Sequence, residues 1–290
     1  MITVFTPTYN RAHLLSRLYE SLLKQNSSNF EWIIVDDGST DDTDGLIKMW
    51  QTERQFPFKL TYFRQANRGK HVAINKGVKL AKGELFFIVD SDDYLAHDAI
   101  AEILKSWNTL NSIEEIGGVV ANKCYTDGSV VGEEPFYSEL LASPVDFRFR
   151  YNAKGDRAEV IRTDLFNKYP FPETPGEKFC PEALFFNRLK DVRLNYINKN
   201  LYFCEYLPDG LTAKIYQIRK TSPVNTCLCY QEMARLGIPW IQKFKAGVNF
   251  YRFKRFTKEA LQPPFNLAIV NSMAKFAANM IFVLSDRHKV

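Results

Sequence analysis

The chain has 290 residues, 46% of them hydrophobic and 24% charged, so it has the length and composition for a large folded core and not for a disordered tail. Its net charge of +5 is too small to argue for a nucleic-acid partner and suits a small anionic substrate or an anionic membrane surface. The five cysteines (Cys124, Cys180, Cys204, Cys227, Cys229) are odd in number, lack paired CxxC spacing, and read as reduced core thiols of a cytoplasmic protein.

Met1–Phe5 starts a strand and not a charged leader, and no stretch is expected to reach the apolar length of a membrane-spanning helix. Ile2–Thr6, stopped at Pro7, predicts a short buried strand, and Leu14, Leu15, Leu18 and Leu22 recur at helical spacing. Trp32–Val35 predicts a second strand ending in the polar run Asp36–Asp42, followed by a helix through Leu46, Ile47 and Trp50. Phe58–Phe63 alternates as a strand. Ile74, Gly77, Val78 and Ala81 share one helical face, and Leu85–Val89 predicts a fourth strand, stopped by Asp90-Ser91-Asp92-Asp93. Strands alternating with helices predict an α/β fold, a mostly parallel sheet flanked by helices. The polar clusters after the first, second and fourth strands then share the carboxyl edge, where such sheets bind ligands. From about 126 the chain turns irregular, notably at 132–146 and 170–181, and after 215 it reads as helical. This divides it into a ligand-binding half (1–125), a second half of the same domain (126–215) and a helical C-terminal extension (216–290).

Carboxylates crowded at a strand end repel one another, and a hard cation removes that cost. Asp90 and Asp92 can hold Mg²⁺ or Mn²⁺ with diphosphate oxygens and water completing its shell, which stabilises a diphosphate leaving group; a solvated turn capping the next helix is the other reading. Asp37 can accept a hydrogen bond from a base N–H or a ribose hydroxyl, while Ser39, Thr40, Asp41 and Asp42 suit a helix cap. Pro7, Thr8 and Tyr9 can line a base or ribose pocket, or form an ordinary turn.

The runs Val4-Phe5-Thr6-Pro7-Thr8-Tyr9-Asn10, Val35-Asp36-Asp37-Gly38-Ser39-Thr40-Asp41, Ala81-Lys82-Gly83-Glu84 and Val89-Asp90-Ser91-Asp92-Asp93 resemble, in order and spacing, the family-2 glycosyltransferases. The resemblance covers roughly residues 1–125 and implies a GT-A fold and inverting transfer of a sugar from a nucleotide-sugar donor, UDP-linked, to an acceptor hydroxyl. It places Asp37 on the nucleobase, Asp90 and Asp92 in a DXD metal motif with Asp92 the direct ligand, Ser91 beside the donor, and Arg68 and Lys70 in a loop near the base or diphosphate. It also implies a saccharide or lipid-linked saccharide acceptor, in bacterial-type surface polysaccharide or glycolipid synthesis.

Inverting transfer needs a general base. Relatives place an acid at a helix start after a loop, and Glu182 in Glu177-Lys178-Phe179-Cys180-Pro181-Glu182 matches in position, with Ala183 where relatives often have Asp and Glu177 in reserve. Pro181 and Glu182 also suit a bare helix start. Asp156-Arg157-Ala158-Glu159 is a candidate wall of the donor site. His13, His71, His97 and His288 form no metal pair and receive no catalytic role. The segment 240–258 is basic and aromatic, with Trp240, Phe244, Val248 and Tyr251 on one face; it fits either peripheral contact with the inner face of a membrane or packing on the domain. Two other classes stay open. A nucleotidyltransferase would carry a Gly-rich loop where Pro7–Asn10 stands; a non-catalytic nucleotide-sugar-binding protein would show no metal-dependent donor hydrolysis.

Overall fold

The computed structural model describes residues 1–53, 56–110, 116–205 and 214–287; His288 and part of the irregular second half lie outside them. Strands β1 (Ile2–Thr8), β2 (Phe30–Asp36), β3 (Lys59–Arg64) and β4 (Leu85–Ile88) pair in parallel in the order β3-β2-β1-β4. Period-two side-chain alternation sorts their apolar residues onto two faces. Val4, Trp32 and Ile34 pack on one side with helices α1 (Ala12–Leu23), α2 (Thr43–Glu53) and α4 (Ala99–Leu110). Phe5, Ile33 and Val35 pack on the other with α3 (Lys70–Leu80). Tyr19 of α1 stacks on Trp50 of α2 with ring centres 4.2 Å apart, closing the first layer.

The first strand runs two residues past its expected end. The β4 pairing stops at Phe5, so Pro7, whose nitrogen faces that side, is asked for no hydrogen bond. On the other side Pro7 and Thr8 stay in register with Val35 and Asp36. The strand order reverses between β1 and β4, and the crevice outside the carboxyl ends at such a point is where sheets of this kind receive ligands.

The second half completes the sheet. Strand β8 (Arg157–Arg162) pairs antiparallel with β4, β6 (Ile116–Tyr125) pairs with β8, and β9 (Arg193–Cys204) with β6; β5 (Tyr94–Leu95) and β7 (Glu139–Ala142) add to β9. The irregular run 132–146 therefore holds an edge strand and opens into α5 (Pro144–Phe149). On the α3 face lie α6 (Thr163–Lys168) and α7 (Ala183–Arg188), where Phe166 stacks on Phe185 at 4.1 Å. Beyond α8 (Ile215–Thr221), helix α9 (Pro223–Ala234) joins the sheet domain through Arg188 Nη2, 2.8 Å from Glu232. Then come α10 (Trp240–Lys254) and α11 (Ala268–Ile281). All five cysteines are buried free thiols.

Two C-terminal expectations change. Helix α11 continues through a π-helical turn at Phe282–Asp286, giving a 19-residue helix long and apolar enough by composition to cross a membrane, contrary to the expectation that no stretch is. The 240–258 segment forms α10, and most of its apolar face is turned inward: Val248 is buried, while Phe244 and Tyr251 pack partly against α11 and only Trp240 stands in solvent.

Candidate active site

The loop after β1 is clamped to the loop after β2. Asn10 sits at φ 53° and its Oδ1 accepts from the Thr40 amide at 2.7 Å, while its own amide donates to Ser39 Oγ at 2.9 Å. Asp41 accepts from the amides of Thr43 and Ala12, so it ties the starts of α1 and α2 together. Asp36 is buried and holds the Ser39 amide and the Tyr62 hydroxyl. These polar residues serve the scaffold. They leave Tyr9, 47% exposed, at the mouth beside the buried Thr8.

Asp37 anchors a third loop. Its Oδ1 accepts from the Arg68 amide and from Gln65 Nε2, both at 2.8 Å, and its Oδ2 from the Gly69 amide at 2.7 Å. Each carboxylate oxygen accepts more than one bond, so Oδ2 keeps capacity for a ligand N–H. Gly69, at φ 96°, lies so close to the Lys178 carbonyl that a Cβ would fall 2.0 Å from that oxygen. The donor-side loop thus touches the loop leading to Glu182. The Arg68 guanidinium turns to Glu173 at 2.8 Å.

Lys70, first residue of α3, joins the two halves. Its ammonium lies 2.7 Å from Asp90 Oδ1 and 2.9 Å from Glu182 Oε1. Burial would lower its pKa, but the two carboxylates outweigh that and hold it above the ordinary lysine value. Burial pushes Asp90 up, and the cations of Lys70 and Lys123 more than reverse this. Asp92, by contrast, is raised by burial and by the neighbouring Asp90 charge. Asp93 faces away from the crevice: it accepts from the Tyr202 hydroxyl at 2.6 Å and pairs with Lys123 at 3.0 Å, and burial pushes it up to about 6 against that pull. Tyr202 in turn accepts from the Asp90 amide at 3.0 Å, fixing the turn. Asp93 is thus used in the turn and Asp90 is paired through Oδ1 with Lys70, while Asp92 keeps a charge that burial and Asp90 disfavour.

Among the described residues no three His, Cys, Asp or Glu side chains gather as a self-sufficient metal cage. An under-neutralised Asp92 beside Asp90 nevertheless fits a Mg²⁺-like ion, which is held by one or two carboxylates with diphosphate and water supplying the rest.

The family model described as Glycosyl transferase family 2 matches residues 3–163, more than half of the chain. The chain belongs to this family. Among curated relatives it is 29% identical over 215 residues to the glycosyltransferase GlyG of Streptococcus pneumoniae, covering 70% of this chain and 69% of that protein. To GlyA of the same organism it is 32% identical over 228 residues, 76% of this chain but 31% of GlyA. It spans 52% of an uncharacterized glycosyltransferase of Nostoc sp.. Among solved structures, S. aureus TarS 1–349 in complex with UDP-GlcNAc superimposes with a TM-score of 0.62 at 19% identity, covering 99% of this chain and 82% of that one. The mannosyltransferase PcManGT from Pyrobaculum calidifontis, in complex with GDP-Man and Mn²⁺, gives 0.51 at 20% identity, covering 99% and 75%. These likenesses establish a GT-A-like fold.

Within this glycosyltransferase the second-half residues sort by their contacts. Both oxygens of Glu177 accept from the amides of Val224 and Asn225, at 2.7 and 2.8 Å, so Glu177 caps the start of α9 and is not placed for an acceptor. Glu182 is the residue just before α7, outside the helix proper, with its side chain 43% exposed beside Lys70. His71 is buried with both ring nitrogens unpartnered, and burial pulls its pKa down to about 4. Lys123 and Tyr202, which shape the acidic turn, escape sequence reading; a lysine inside the apolar run Ile116–Cys124 is the one available signal.

Glu159, midway along β8, has its carboxyl pushed up to about 8 by burial first and then by the charges of Asp156 and Glu182. A carboxyl with a raised folded pKa costs stability once the unfolded chain has released its proton. Between the ordinary glutamate value of 4.5 and about 8 the unfolded state binds fewer protons, so stability falls as pH rises through that window. Glu159→Gln is therefore expected to melt a few degrees above wild type at about pH 8.5 and level with it near pH 4. A difference that does not change with pH contradicts this.

Proposed function

We propose that this glycosyltransferase takes a UDP-linked sugar, holds its diphosphate through a divalent cation at Asp90 and Asp92, and passes the sugar with inversion to an acceptor hydroxyl deprotonated by Glu182. The acceptor is a saccharide or lipid-linked saccharide, in surface polysaccharide or glycolipid synthesis. The observation that carries the reading is Lys70, whose one ammonium touches both the acidic turn after β4 and the glutamate before α7. That contact supports a reading in which leaving-group and acceptor chemistry meet at one point. TarS in complex with UDP and UDP-GlcNAc, and PcManGT with Mn²⁺, support the donor and the ion.

In this scheme uracil meets Asp37 and Tyr9, with Pro7 and Thr8 forming the pocket floor and Ser91 beside the sugar. The cation, when bound, offsets charge accumulating on the departing diphosphate. Lys70 supplies a second positive charge there, and Arg68 guards the loop. Glu182 takes the proton of the attacking hydroxyl on the face of the sugar opposite the diphosphate.

A screen of nucleotide sugars by thermal shift tests this. A UDP-sugar at about 100 times its Kd adds about 2.7 kcal/mol, or roughly 5–10 °C for a protein this size. That shift is expected with Mn²⁺ and is expected to vanish with chelator. Equal shifts in both conditions, or none with any UDP-sugar, contradict the proposal.

A further inference from the structure

Helix α11 is built inside out. The residues it turns toward the protein are mostly small: Ala274 and Ala278 are fully buried, with Val270 and Ala277 packed beside them and the paired Asp286 at the end. The large ones, Ile269, Met273, Phe276, Met280 and Leu284, form one stripe on the solvent side, and Ile269, Phe276 and Leu284 are 71%, 68% and 72% exposed. A helix that only packs on its own domain puts its large apolar residues inward. Here the stripe runs over about four turns, and apolar patches of that kind mark a surface that something else covers.

The cover is identified by charge. From Trp240 to Arg287 there are eight lysines and arginines against two acids, Glu259 and Asp286, so the whole positive excess of a +5 chain resides here. Asp286 is itself neutralised, buried with both oxygens 2.9 Å from Arg252. Lys275 lies on α11 between the apolar positions, and the Arg255 guanidinium sits 3.9 Å from the Phe282 ring. A second copy meeting this face in a two-fold contact would bring like charges together. An anionic lipid surface is attracted by them instead.

We infer that α11 docks this protein on an anionic bilayer, lying in the plane of the headgroups with its outer stripe among the acyl chains. It does not span. Its inner side is bonded to α10 through Arg255 Nη2 to Asn279 at 3.1 Å, and the Arg252–Asp286 pair would have to break for the helix to leave. Trp240, 57% exposed and with its ring 5.6 Å from Phe265, sits at the α11 entry, where an interfacial indole belongs. This docking is independent of the glycosyl-transfer reading, and the two can fail separately.

Flotation of the full chain with phosphatidylcholine vesicles, with and without phosphatidylglycerol, tests the inference. The wild type is expected to float with anionic vesicles at low salt and at least tenfold less with phosphatidylcholine alone. Ile269→Ser with Phe276→Ser is expected to lose tenfold or more of the bound fraction while keeping its melting temperature. Lys275→Glu is expected to weaken binding on anionic vesicles alone. Wild type that stays unbound overturns the inference, as does a double variant that floats like wild type. A dimer in size-exclusion chromatography that the double variant splits, without any vesicle binding, assigns the stripe to a second copy and overturns it too.

Discussion

Glu182→Gln is expected to keep nucleotide-sugar binding and to lose on the order of 10²-fold or more in transfer. The substitution preserves shape and hydrogen bonding but removes the proton acceptor. Contacts leave few competitors. Glu177 spends both oxygens on α9, Asp37 holds the 65–69 loop, and Asp93 is bound to Tyr202 and Lys123. In the proposed scheme Asp90 and Asp92 serve the ion and the diphosphate. Glu159 has its carboxyl pushed up to about 8 by burial and by the charges of Asp156 and Glu182, which disfavours its charged form. Single-turnover transfer together with UDP-sugar titration checks this. A variant that turns over at the wild-type rate removes Glu182 from the chemistry, whereas one that fails to bind donor shows that its pairing with Lys70 is structural.

Asp92→Asn is expected to cost on the order of 10²-fold in turnover and to abolish the gain in UDP affinity that Mn²⁺ brings. Its fold should be untouched. Burial and the Asp90 charge already disfavour ionisation of Asp92, so removing a negative charge relieves repulsion and does not break a pair. Calorimetric titration of UDP with Mn²⁺ and with chelator measures the effect. Unchanged Mn²⁺ dependence in the variant would move the ion elsewhere.

Much of the site was legible because strand ends and their polar turns are local features. Periodicity places Asp37 and Asp90 at the carboxyl edge, and the chain order of relatives places Glu182. What those residues touch was not legible. Asp37 reads as a free ligand group, yet its carboxylate organises residues 65–69 through contacts that depend on how β2 and the loop meet. The run Ala81-Lys82-Gly83-Glu84 supports the fold: buried Glu31 accepts from the Lys82 amide at 2.6 Å, and a Cβ on Gly83 would fall 2.4 Å from the Thr3 nitrogen. Glu177 looks like an alternative base until α9, dozens of residues later, is seen to need its charge. The helical character of α11 was legible, but its outward stripe escaped because its apolar positions are interleaved with Ser272, Lys275 and Asn279, and only the packing shows which face is outward.

UDP release from a panel of UDP-sugars, followed with wild type in Mn²⁺ and in excess chelator, tests the central claim most directly. Slow hydrolysis of at least one UDP-sugar is expected in Mn²⁺, accelerated by the right saccharide acceptor and lost on chelation. UDP release from no donor, or release at the same rate in chelator, would contradict it.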